Sequence, residues 1–502
     1  MKKPCLLVSG TNSGAQVQVP VGLIYLGAQL KKYDYPVEIF HVYDSKSLSI
    51  CKEKIMSQDY LFAGFSIWMG PASLDMIELS QNAKKRGIPT IWGGKFITSL
   101  KADTLTEESV DVAVMGNAEE AIVEIADNLS QKKDLSDIAG IYYRDKDGNV
   151  IKTKDRVIVQ ENLDCYDYDL SLIKDWSAYI VKPESERIIF DPFESQRGCL
   201  FRCRFCFHSD DKVYSTANKK IVNSHSVDFI IKKAQELKIL TGVKKISFCD
   251  DEFWINEDRS IEIIERLKSI DIDIVFIRIR FTSLNDRMLK RLEALGVSAI
   301  ACGLESGSAR ILKMMHKGLT LDVVKEKMEL LAGYPIIVNT VIIVGNPTET
   351  KDEMLESIRF MLDLRKIKKN LNLLTFFYRP LPSTDFGAIA EKCGFQRPRN
   401  VKEWVNVSAE NIMNIGSQWL PWYNEREKIN MKRKDDYFVL NCIVTERLFG
   451  SKSKNLSTII LWPLLYLAER ITFARIYYWN FSFPIDAKIG MFLYGMYRFT
   501  RK

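Results

Sequence analysis

Three cysteines, Cys199, Cys203 and Cys206, are separated by three and then two residues. Thiolates so spaced wrap a compact soft-metal centre. Four irons held by only three thiolates leave one iron open to an outside ligand, and a substrate or cofactor can be activated there. The alternative is a closed tetrahedral zinc site with His208 as fourth ligand. Arg202 and Arg204, interleaved with the cysteines, argue against buried core thiols. The loop also follows a predicted barrel strand, which favours the open centre over zinc.

Three more turns end predicted strands and carry polar groups. They run from Cys249 to Phe253 with Asp250 and Asp251, from Gly303 to Ser308 with Glu305 and Ser306, and from Val344 to Thr350 with Gly345, Asn346 and Pro347. Carboxylates suit ammonium and hydroxyl groups, and glycine lets backbone approach a ligand. Read singly, such acids can equally be helix caps or solvated turns. Read together with the cysteines, they resemble the motifs of radical S-adenosylmethionine (SAM) enzymes. The resemblance implies a [4Fe–4S] cluster on Cys199, Cys203 and Cys206 whose open iron binds SAM, and an electron that releases a 5′-deoxyadenosyl radical. It places Phe205 against the adenine and Asp250 and Asp251 near the amino group. Glu305 and Ser306 fall near the ribose or methionine part, and Gly345, Asn346 and Pro347 near the adenine. It also implies a one-electron donor such as a flavodoxin or ferredoxin.

The first 130 residues resemble the cobalamin-binding domain often fused before this barrel, so the likeness covers about residues 1–400. Its blocks are Pro20 to Leu23, Gly64 to Ser66, Trp92 to Lys95 and Met115 to Glu119. The implied cobalamin contacts are Gly10, Thr11, Ser66, Gly93, Gly94, Gly116, Asn117 and Glu119. There are two departures. No D-x-H-x-x-G follows the first strand, so no histidine is placed to ligate cobalt, and Gly93-Gly94 continues with Lys95-Phe96 where relatives often carry Pro-His. Cobalamin bound without a histidine lower ligand is the expectation; a retained scaffold is the alternative.

The elements that must position these groups follow from periodicity. Short apolar runs at Cys5–Ser9, Val37–Val42, Tyr60–Ser66, Thr90–Trp92 and Val110–Met115 alternate with amphipathic helices, which predicts a doubly wound parallel sheet over residues 1–135. Such sheets bind ligands beyond the C-terminal ends of their strands. A hairpin (Gly140–Arg144 with Val150–Lys154) and a linker fill 136–186. Strands near Ile188–Phe193, Lys245–Cys249, Ile274–Phe281, Ala299–Gly303, Ile336–Val344 and Leu373–Tyr378 predict a partial (β/α)6 barrel over 187–400. Arg278 and Arg280 share one face of its third strand, reaching an anion inside the barrel or lining a polar layer. Cys5, Cys249 and Cys302 are expected as core thiols, and His41, His225 and His316 as isolated histidines.

Residues 401–502 form a mainly helical extension with a distinct composition. The chain of 502 residues carries a net charge of +7, and the last 52 residues hold eight Lys or Arg against two acids. The rest is nearly neutral, so no nucleic-acid surface is expected. Thr458–Ala468 is apolar but too short to cross a bilayer, and Pro463 interrupts it. The basic, aromatic tail either packs on the barrel or lies at an anionic membrane face, in which case the substrate is lipid-like rather than a soluble small molecule. Ten cysteines in this length and no N-terminal signal-like run point to a reducing cytoplasm.

The leading function is a cobalamin-dependent methyltransferase to an unactivated carbon, using SAM both as methyl source and as radical source. Radical cyclisation, rearrangement or oxidation is the enzymatic alternative, and a cobalamin or redox sensor the non-enzymatic one. Methylthiolation of RNA is not expected, because no second cysteine triad precedes the barrel. Anaerobically purified protein should carry about four irons. Replacing any one of Cys199, Cys203 and Cys206 with Ala should abolish both the reduced-cluster electron paramagnetic resonance (EPR) signal and 5′-deoxyadenosine formation. Stoichiometric zinc without iron would sink this reading.

Overall fold

The computed structural model describes residues 2–11, 16–156, 162–181, 186–209, 215–216, 219–220, 222–409, 420–424, 427–428 and 456–478. The first sheet has seven strands: β1 (Cys5–Gly10), β2 (Val37–Val42), β3 (Phe62–Ser66), β4 (Thr90–Gly93), β5 (Val112–Val114), β6 (Ile141–Arg144) and β7 (Val150–Lys152). Their order is β2-β1-β3-β4-β5-β6-β7, parallel through β5 and antiparallel at β6 and β7. The hairpin expected between the domains therefore extends the first sheet rather than standing apart from it.

Both faces of this sheet are covered, which is why β1 is buried along most of its length. Cys5 and Leu7 pack towards α1 (Val21–Lys32) and α5 (Glu119–Ser130). Leu6 and Val8 pack towards α2 (Ser45–Ser57), α3 (Ala72–Lys85) and α4 (Lys95–Leu100). That second face also takes in Phe386, Val401, Trp404 and Val405 from the chain after the barrel. Ser383 Oγ donates to the Ser99 carbonyl at 2.6 Å, and Arg397 pairs with Asp103 at 2.9 Å, so the post-barrel segment braces the first domain.

The barrel strands are parallel and fall into two hydrogen-bonded groups. Ile188–Ile189, Lys245–Ile246 and Asp273–Ile274 form one, with Ile180–Val181 antiparallel at its edge. Ile277–Arg278, Ala299–Glu305, Ile337–Val344 and Leu371–Phe377 form the other. The third strand expected over Ile274–Phe281 is broken after Ile274, and its two halves serve the two groups. Along Ile337–Val344 burial alternates strictly, with Val338, Ile342 and Val344 against the outer helices and Asn339, Val341 and Ile343 towards the lumen.

After the barrel, a 22-residue helix (Leu456–Tyr477) is continuous through Pro463, where the sequence suggested an interruption. Proline removes one backbone donor, and the helix is held instead by packing at its far end. Ile476 is fully buried, and Phe473 and Tyr477 pack on the barrel core beside the helix Lys351–Ile367. Arg359 and Lys366 of that helix lie 5.9 and 5.7 Å from the Tyr477 ring. Packing thus accounts for Phe473, Ile476 and Tyr477, while Tyr466, Leu467, Ile471 and Tyr478 of the same segment are exposed. Residues 479–502, on which the membrane expectation mostly rests, lie outside the described residues. No helix among the described residues is long and apolar enough to cross a membrane. Replacing buried Ile476 with Ala should cost about 2–5 kcal/mol of stability. Tyr478, which is 73% exposed, should tolerate the same change within about 0.5 kcal/mol. Comparing unfolding midpoints of the two variants checks the docking of this helix.

Candidate functional site

The C-terminal ends of the first sheet and the mouth of the barrel enclose one cleft of about 600 Å³. All eight residues expected against cobalamin line it: Gly10 and Thr11 at the end of β1, Ser66 at the end of β3, Gly93 and Gly94 at the end of β4, and Gly116, Asn117 and Glu119 after β5. Glycine is required at two of these. Gly94 has φ +110, and a Cβ there would lie 3.0 Å from the Ile67 carbonyl oxygen; Gly116 has φ +70. The opposite wall comes from the barrel: Asp191, Glu194, Gln196, Arg197, Gly198, His208, Asn223, Cys249 and Asp251. Cys249, expected in the core, faces this cleft instead, whereas Cys5 and Cys302 are core thiols as expected.

Two ion-pair groups join the walls. Arg197, two residues before Cys199, donates Nη1 to Glu119 at 2.5 Å and Nε to Glu194, with its guanidinium 4.6 Å from the Tyr25 ring. Lys95, the departure noted in the Gly93-Gly94 turn, donates to both oxygens of Asp251 at 2.8 and 3.1 Å. Asp251 also meets His208 Nε2 at 2.7 Å. Although burial opposes it, the charges of Lys95 and His208 hold the Asp251 carboxyl far below the usual carboxylate range.

Asp250 has a different fate from its neighbour. It is 2% exposed, and its carboxylate accepts from the Ser195 backbone N at 2.6 Å and from Ser195 Oγ. Burial raises its pKa to about 7. It braces the loop leading to Cys199 rather than opening towards the cleft. Ser306 is likewise turned inward, 3.0 Å from Ser357 Oγ. In the Gly345–Pro347 turn, Glu349 accepts from the backbone N of Gly345 and Asn346 at 2.6 and 3.0 Å, and Asn346 is fully buried. Burial pushes Glu349 up to about 7, and Tyr423 OH donates to the Glu349 carbonyl at 3.1 Å. Asp250, Ser306 and the backbone of the Gly345–Pro347 turn are therefore committed within the protein, whereas Asn346 Oδ1 is buried without a hydrogen-bond partner. Glu305, with φ +71, accepts from Lys317 Nζ at 2.8 Å above Gly303. Phe205 packs edge-on to Phe386, ring centroids 6.4 Å apart.

The residues present fit both implied groups. Cys203 is 8% exposed, and burial raises the Cys199 thiol and pushes Cys206 up to about 11, Cys203 adding to each. Three mutually repelling thiols need a multivalent cation to ionise together, which an iron cluster supplies. No group of three His, Cys, Asp or Glu side chains among the described residues is already gathered to hold a metal ion. In the cleft, Glu119 Oε2 and Asn223 Oδ1 are buried without a hydrogen-bond partner. Such orphaned acceptors suit the amide donors on a corrin rim. Sequence reasoning missed Arg197, Asn223 and Lys317; only Arg197 had a cue, its place beside the cysteine loop.

The comparisons with known proteins come from three directions. Residues 193–361 match the family profile of the radical SAM superfamily. That stretch of the chain is a radical SAM domain. It is 26% identical over 348 residues to an uncharacterized methyltransferase of Pyrococcus horikoshii, covering 68% of this chain and 72% of that protein. It is also 26% identical over 384 residues to the anaerobic magnesium-protoporphyrin IX monomethyl ester cyclase of Rubrivivax gelatinosus, covering 73% of this chain but 65% of the cyclase, just under two thirds. Its fold matches the radical SAM methyltransferase TsrM of Kitasatospora setae, solved with cobalamin and a [4Fe–4S] cluster, with a TM-score of 0.63 at 16% identity over 79% of this chain and 76% of that one. The fold is thus that of a cobalamin-type sheet joined to a radical SAM barrel.

Two histidines, His225 buried and His41 half-buried, give this protein a defined acid sensitivity. His225 is 1% exposed between Tyr25 OH at 2.7 Å and Asp164 at 2.9 Å, and His41 sits between Thr11 and Tyr179, each at 2.9 Å. Burial lowers both from 6.5 to about 4. The unfolded chain therefore binds more protons between those values, so the stability each contributes is full above pH 6.5 and is lost as pH falls towards 4. For His225 the loss is about 3 kcal/mol. Denaturant unfolding from pH 7 to 4 should show this decline, flattened in His225→Gln; an unchanged slope in the variant would contradict the assignment.

Proposed function

We propose that this protein is a cobalamin-dependent radical SAM methyltransferase acting on an unactivated carbon of a small molecule. The reading rests on the single cleft in which glycine turns of the first sheet face the loop that leads to Cys199. When bound, the cluster supplies the electron that splits SAM, and cobalamin carries the methyl group. The chain's own residues do the positioning. Gly93, Gly94 and Gly116 keep the strand ends clear of side chains, and Glu119 and Asn223 present acceptors to a corrin rim. Arg197 and Lys95 hold the two walls at a fixed separation. Asp251, ionised and lining the cleft, is the one residue of the expected SAM set that faces the cobalamin side. The relative and the solved structure named as methyltransferases support this reading.

Radical cyclisation is a second reading, favoured by the likeness to the anaerobic cyclase. The two differ in their products. Anaerobic incubation with SAM, a one-electron donor protein and a metabolite extract should give a product one CH2 heavier than its precursor; a product lighter by hydrogen atoms alone favours cyclisation or oxidation.

Cobalamin binding has its own test. Both ring nitrogens of His41, which lines the cleft, are already hydrogen-bonded, so it is not free to ligate cobalt. Reconstituted protein should retain cobalamin with a base-off absorption spectrum, and His41→Ala should leave that spectrum unaltered. Failure to retain any cobalamin would make the first domain a scaffold and remove the methyl carrier.

A further inference from the structure

The most unusual side chain outside the assigned set is Arg280, which follows the barrel strand Ile277–Arg278 and points into the lumen. It is 8% exposed. Its Nη1 lies 3.8 Å from Cys203 Sγ, Nη2 donates to the Lys317 carbonyl, and the guanidinium stacks 3.6 Å from the Phe201 ring centroid. Its Nε is buried with no hydrogen-bond partner. A guanidinium in the interior normally commits its donors to carboxylates. This one instead grips the cysteine loop at two points, Phe201 and Cys203, and keeps one donor unspent beside it.

The nearby carboxylates are not paired with it. Lys317, also 8% exposed, is matched by Glu305 at 2.8 Å. Glu252, 6% exposed, accepts from the Trp254 backbone N at 3.4 Å and makes no ion pair with Arg280. The guanidinium therefore stands against the sulfur of Cys203 with no carboxylate in ion-pair contact.

We propose that Arg280 is a positioning residue that holds the cysteine loop in place and raises the reduction potential of the cluster bound there. This rests on the reading that Cys199, Cys203 and Cys206 carry a [4Fe–4S] cluster. Such a core with three thiolates bears one net negative charge, and two after it takes up an electron from its donor protein. A buried cation beside a ligand sulfur favours the more negative state, and an N–H directed at sulfur adds to the effect. Glutamine at this position keeps a donor but no charge; lysine keeps the charge but not the planar fork.

The test is a potentiometric titration of the full-length, anaerobically reconstituted protein, followed by the EPR signal of the reduced cluster, with iron counted in every sample. Arg280→Gln should keep about four irons and shift the midpoint to a more negative potential, while Arg280→Lys should stay near the wild-type value. Equal midpoints in wild type and Arg280→Gln, with iron retained, overturn the proposal. Where Arg280→Gln loses its iron, Arg280→Lys decides: iron retained at the wild-type midpoint supports the role of charge, and loss of iron from both variants leaves Arg280 a purely structural clamp and overturns it. Wild-type protein without iron would instead sink the cluster reading itself, which separates the two failures.

Discussion

Arg197 sits where the two halves of the molecule meet, its guanidinium shared by Glu194 on its own loop and Glu119 at the start of α5. Glu119 is 4% exposed and the Arg197 side chain 16%, so the pair is largely shielded from water. Removing one partner from such a pair costs about 3–5 kcal/mol, because the remaining charge is stranded. The sheet is thereby fixed to the loop that carries the three cysteines. Lys95 and Asp251 repeat the arrangement on the other side of the cleft. With both pairs made, glycine turns and cysteine loop face one another across a space of set width; without them, each domain would offer only half a site.

The same economy of side chains governs the barrel mouth. Asp250, Ser306 and Glu349 spend their hydrogen bonds on backbone and neighbouring side chains. They make rigid turns at strand ends, so the groups left facing the cluster loop are few: Glu305 with Lys317, and Arg280. A centre that generates a reactive radical needs such turns, because a loose loop would admit water and misplace the reacting atoms. The C-terminal chain helps from outside, with Leu420 under Gly345 and Tyr423 on Glu349.

Element order, the parallel sheets and the family were all legible in the sequence. Alternation of apolar runs with amphipathic helices is a local property, and the cysteine spacing is unusual enough to carry its chemistry alone. The eight glycine, hydroxyl, amide and acidic positions at the ends of the first-domain strands share one cleft, because strand ends in a parallel sheet open on the same side. The hairpin's place in the first sheet was not legible: a hairpin signal says that two strands pair, not which third strand they join. Nor was the continuity of Leu456–Tyr477 through Pro463, since the packing of Ile476 outweighs one lost hydrogen bond.

Asp250 and Asp251 mark the boundary between the two kinds of information. The sequence determined that two adjacent carboxylates end a barrel strand close to the cysteine loop, since composition and periodicity act over a few residues. Only the tertiary structure decided that Asp250 turns inward to Ser195, 55 residues earlier, while Asp251 turns to Lys95, 156 residues earlier. The same holds for Lys95, visible as a departure in its turn but meaningless until its partner is known, and for Arg280, whose sulfur neighbour lies 77 residues away. A charge acquires its role from what stands within a few ångströms of it in a low-dielectric interior, and that neighbourhood exists only once distant segments have packed.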